Sequence, residues 1–165
     1  MPDLPSKLWK AMPPDVRVAA ADAFWRDDET SEVRLQQMEA VALLARRLNF
    51  RTRSIQALPI ERRARHLAQV NDVTEGIATR ALIAYHFQAQ RPLMAAFLDA
   101  LGIEHEDGLI KADEVTPPTV EQLTAAVAAI GDKFPSADVD LYLRTLATLD
   151  EDTWGAVERV VPLSR

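Results

Sequence analysis

Apolar residues recur along this chain at spacings of three and four, the period of a helix with one covered face, rather than at the alternate positions of a half-buried strand. Between about Ser31 and Asn49 they form one stripe, Leu35, Met38, Val41/Ala42, Ala45 and Leu48, with Gln36, Glu39, Arg46 and Arg47 on other faces. That spacing predicts a helix that packs by one side only. From about Val73 to Gln90 apolar residues run almost all round, through Ile77, Ala81, Leu82, Ile83, Ala84, Tyr85 and Phe87, so this helix is expected to be the most buried. Pro92 must interrupt or kink it, after which Leu93–Leu101 continues until Gly102.

Prolines and polar caps mark the joints. Met12-Pro13, Leu58-Pro59 and Phe134-Pro135 each set an apolar residue before a proline, a pattern that suits a helix start with a hydrophobic staple. After Thr116-Pro117-Pro118, Thr119 and Gln122 make a capping box for a helix to about Ile130, and helices over about Ser136–Leu149 and Glu151–Val161 finish the chain. The expectation is an all-α fold, a bundle of about seven or eight helices forming a single domain over residues 1–165, with a subdomain boundary, if there is one, near 112–118. One small β-hairpin is expected in the 103–112 connection, because Asp107-Gly108 is a favoured turn pair between the alternating Ile103 and His105 and the alternating Leu109 and Lys111.

Composition narrows the chemistry. With no cysteine among 165 residues, a disulfide framework, a thiolate nucleophile and a Cys-built zinc site are all excluded. The first residues lack an apolar core after a basic start, and nowhere do eighteen apolar residues run together, so a soluble, cytoplasmic protein without a membrane partner is expected. The net charge of −6 conceals a division: from Arg46 to Arg65 stand seven arginines (46, 47, 51, 53, 62, 63 and 65) and one acid, Glu61. That segment carries +6, so the other 145 residues carry −12.

Three places bear side chains with reactive or binding chemistry. Glu104-His105-Glu106-Asp107 offers oxygen and nitrogen ligands for a divalent metal, but neighbours in one loop rarely converge on one ion, so a polar turn is the expected role. His86 lies on the most apolar helix in a narrow polar stripe with Glu75, Thr79 and Gln90. The stripe fits a solvent face, a hydrogen-bonded network or a pocket with His86 as acid or base, and no neighbouring serine or cysteine marks a nucleophile. The arginines are the third place, since guanidinium forks suit carboxylate and phosphate oxygens; Arg51, Arg53, Arg62, Arg63 and Arg65 are the binding candidates.

No Gly-rich phosphate loop, paired-histidine metal motif or nucleotide fingerprint occurs, and no cofactor is implied. The expected function is therefore a non-enzymatic interaction or regulatory module that docks an acidic protein or a phosphorylated ligand through segment 46–65. The alternative is a small metal-dependent enzyme centred on His86 or His105. A nucleic-acid-binding role for the same arginines stands third, weakened by the acidic chain and by the absence of any base-reading helix.

Overall fold

The computed structural model describes residues 2–27 and 30–161. Among them it has ten α-helices and one two-stranded antiparallel sheet, an all-α fold with a miniature hairpin. The helices beyond the expected seven or eight are short: α1 (Pro5–Ala11) and α4 (Thr52–Ala57) have seven and six residues. The last expected helix divides into α10 (Glu151–Trp154) and a 3₁₀ turn over Gly155–Arg159.

Two compact units make up the fold, one of Pro5–Gln88 and one of residues 2–4 and 89–161. In the first, α2 (Pro14–Arg26) packs chiefly on α5 (Ile60–Ala68), and α3 (Ser31–Leu48) carries α4 on its side. The α2–α5 faces are rich in alanine, with Ala20, Ala21, Ala23, Ala64 and Ala68 buried, so the two backbones approach closely around Phe24 and Leu67. Trp9, Leu44, Ile55, Ile77 and Leu82 complete this core, each fully buried and worth about 1.5–3 kcal/mol of transfer free energy. Arg17 ties α1, α2 and the end of α5 together, donating to Lys10 O, Ala68 O and Asn71 Oδ1 at 3.0–3.1 Å. The unit closes with α6 (Glu75–Ala89), which is buried on most sides, as its apolar circumference requires.

In the second unit α7 (Arg91–Leu101) packs on α8 (Val120–Ile130), while α9 (Ser136–Leu149) holds α10 and the 3₁₀ turn. Phe97 is the hub of this core, its ring centroid 5.6 Å from that of Tyr142 and 5.9 Å from that of Trp154. Pro92 starts α7 rather than kinking α6, because proline has no amide hydrogen to lose at the first positions of a helix. Strands β1 (His105–Glu106) and β2 (Leu109–Ile110) pair His105 with Ile110 and Glu106 with Leu109. Their two-residue turn has φ of 51° at Asp107 and 89° at Gly108, the positive values that a right-twisted hairpin needs.

The three apolar-proline starts share one geometry. Pro13, Pro59 and Pro135 are the N-cap residues of α2, α5 and α9, with φ near −57° and ψ between 140° and 153°, and none has a side-chain cap. Their carbonyls accept from Arg17 N, Arg63 N and Val139 N, the first bonds of each helix.

The expected covered stripe of α3 needs correction. Its buried face is Val33, Ala40, Val41, Leu44 and Ala45, whereas Leu35 is 67% and Met38 51% exposed. Both faces of α3 carry apolar residues at helical spacing, so periodicity alone admits two phases. Gln37 reaches from the buried side to the Phe24 carbonyl at 3.0 Å, fixing the observed phase against the end of α2.

Candidate functional site

The histidine turn is held together by its own groups. His105 Nε2 lies 2.7 Å from Asp99 Oδ1 at the end of α7, and the Gly108 amide donates to His105 Nδ1 at 3.1 Å. An Nδ1 that accepts from an amide must be unprotonated, so Nε2 carries the hydrogen and donates to Asp99. Both ring nitrogens are thus occupied in bracing the hairpin. Glu106 pairs with Lys111 at 2.7 Å, and Arg91 donates to the Asp107 carbonyl at 3.1 Å, while Glu104 is exposed. Among the described residues no three His, Asp or Glu side chains gather as a metal would require.

Glu75 and His86 are not brought together. They stand eleven residues apart on α6, about 16 Å along its axis. Glu75 caps the first turn of α1, accepting from Ser6 N at 2.7 Å and Ser6 Oγ at 3.0 Å. His86 is buried, 3% exposed, with Nδ1 2.8 Å from the Leu82 carbonyl, so that nitrogen is the donor in a bond within the helix.

The arginines are arranged otherwise. Arg46 and Arg47 lie in the last turn of α3, where cations complement the helix dipole. The helix ends at Asn49, whose φ of 55° turns the chain sharply, and Phe50 N closes the turn on Ala45 O at 2.9 Å. Helix α4 then runs back along α3, with Arg51 at its start and Gln56 Nε2 donating to Met38 Sδ at 3.7 Å. On α5, Ala64, Leu67 and Ala68 face the core, which leaves Arg62 and Arg65 on the outer side.

Arg46, Arg51, Arg53, Arg62 and Arg65 are all exposed, and none of their side chains has a hydrogen-bond or ion-pair partner among the described residues. The segment's single acid is drawn elsewhere: Glu61 Oε1 binds Arg26 at 3.1 Å. Its own backbone amide holds its carboxyl below the ordinary range against an opposing effect of desolvation, with Arg26 and Arg65 adding to the lowering.

Two of the segment's arginines have structural work. Arg47 donates to the Gln69 carbonyl at 3.2 Å. Arg63 is half-buried with its guanidinium 5.0 Å from the centre of the Trp25 ring, and burial lowers its pKa. A cation stacked on an indole in this way stabilises the α2–α5 packing and presents less charge outward than its neighbours do. Beside Arg46 and Arg47 opens a groove of about 440 Å³, lined also by Leu43, Gln69, Val70, Asn71 and Asp72. Asp72 is answered by Lys10 at 2.7 Å, so the groove keeps an unanswered cation in Arg46.

Sequence reasoning missed the apolar partners of this surface. Phe50 is 49% exposed between Arg47 and Arg51, and Leu35 and Met38 flank Arg34, itself exposed and unpaired among the described residues. The position of Phe50 among arginines was a readable signal; the exposure of Leu35 and Met38 was not. The chain matches no protein-family model, and no curated protein and no solved structure is significantly similar to it.

Proposed function

We propose that the protein is a helical interaction module that docks an acidic protein through the arginine surface of α3, α4 and α5. The observation that carries this reading is that five exposed arginines of one 20-residue stretch make no side-chain hydrogen bond or ion pair among the described residues, Arg65 acting on Glu61 only at longer range. Guanidinium groups left unanswered keep their donor forks free for carboxylates, and bidentate pairs of that kind supply both orientation and affinity. The reading is favoured over nucleic acid by the net charge of −6 and by Phe50, Met38 and Leu35, apolar side chains that a phosphate backbone does not use.

The test titrates a fluorescent acidic peptide, rich in Glu and Asp, into wild type and into a variant with Arg51, Arg53, Arg62 and Arg65→Ser. Arg63 is spared because it packs on Trp25. Four exposed pairs at about 0.2–1 kcal/mol each predict a loss of affinity of roughly fourfold to several-hundredfold, with an unchanged thermal melt. Wild-type affinity should also fall as salt rises. Equal binding by wild type and variant, or no binding by wild type at low salt, refutes the proposal.

A further inference from the structure

The docking reading leaves unexplained why a charged surface should also expose large apolar side chains. Leu35 and Met38 stand three residues apart on α3 and share one edge of it, with Ala42 one turn further along. Phe50 lies just past the helix end, so the apolar positions extend over about 20 Å, the length of three to four helical turns. Met38 is held in place by Gln56 from α4, which brings α4 and its Arg53 alongside the same strip.

Charge around the strip is sorted by side. The two acids of α3 that share its exposed surface are turned to α6 and the loop before it, Glu32 pairing with Arg80 at 2.8 Å and Glu39 accepting from Thr74 at 3.3 Å. The cations that remain beside the strip, Arg34, Arg46, Arg51 and Arg53, are exposed and unpaired among the described residues. An apolar line with unanswered arginines along it is complementary to a segment with apolar residues on one face and carboxylates beside them.

We infer that Leu35, Met38 and Phe50 receive the apolar face of an acidic amphipathic helix of a partner protein, with the flanking arginines pairing to its carboxylates. This inference rests on the docking reading above and specifies the shape of the partner. Helix-in-groove recognition uses apolar anchors about one turn apart, and Leu35 and Met38, one turn apart on α3, offer seats for two neighbouring anchors, with Phe50 a further apolar contact beyond the helix end. A second copy of the chain fits less well, because a two-fold contact of this patch with itself sets arginines against arginines.

Two peptides of one acidic composition separate the possibilities. One places its leucines on a single helical face; the other is a scramble with leucines spread round the helix. Wild type should bind the amphipathic peptide at least tenfold more tightly than the scramble. The double change Leu35→Ser, Met38→Ser should erase that advantage while leaving the scramble's affinity unchanged. Because both side chains are exposed, the variant should melt as wild type does, and a thermal scan verifies this. Equal wild-type affinity for the two peptides overturns the helix inference and leaves the arginine reading standing, whereas failure of both peptides to bind overturns both. A wild-type dimer in sedimentation equilibrium that the double variant turns into a monomer makes a second copy the occupant, and that too overturns the inference.

Discussion

At position 108 two constraints coincide. The backbone has a φ of 89°, where a side chain is strained, and a Cβ placed there stands 2.9 Å from the Met94 Cβ, with the Arg91 carbonyl 3.4 Å away. Gly102 has the first constraint alone, with φ of 71° and open space around it. Gly108→Ala should therefore cost about 2–3 kcal/mol and Gly102→Ala about 1 kcal/mol, read as shifts of the urea midpoint. Arg63 invites a similar contrast. Its stacking on Trp25 predicts that Arg63→Ala loses about 1 kcal/mol and lowers the melting temperature by a few degrees. Arg62→Ala, removing an exposed and unpaired side chain one residue away, should leave the melt unchanged.

Helices with unambiguous punctuation were legible before any coordinates. The capping box of Thr119 and Gln122 is present as read, and Pro59 and Pro135 begin α5 and α9 where the sequence places those starts. Two kinds of element resisted. Helices α1 and α4 are about two turns or less, too short for a repeat of three and four to declare itself, and in α4 Ile55 is the one buried residue. In α3 the helix was legible but its rotation was not, since Leu35 and Met38 are larger than Ala40 and look like better core residues. The arginine half of the candidate site was thus readable from charge alone, and the apolar half emerged only when the buried face was known. Element packing also sets a pH dependence. Tyr142, on α9 against Phe97, is buried, and that burial pushes its phenol above the ordinary range. The unfolded chain releases this proton near pH 10 while the folded chain retains it, so the stabilisation is complete below pH 10 and is lost as pH rises beyond. Urea unfolding at a series of pH values should show this decline, and Tyr142→Phe should make it shallower.

Across the whole molecule the decisive property is the division of charge. No helix among the described residues is long and apolar enough to cross a membrane, and a chain with sequence pI near 5.1 has an acidic surface outside one region. With a screening length of about 8 Å at physiological salt, a partner bound at the arginines feels chiefly the charges within that distance. Duplex DNA should nonetheless bind more weakly than micromolar at that salt, because a few exposed arginines release few counterions. Submicromolar binding measured by anisotropy, and lost on the four-arginine change, would move the function to nucleic acid. The same division has a practical side in purification. Exchange resins respond to the face a protein presents and not to its sum of charges. At neutral pH and low ionic strength the wild type should be held by anion and cation exchangers alike, and the variant lacking Arg51, Arg53, Arg62 and Arg65 by the anion exchanger only.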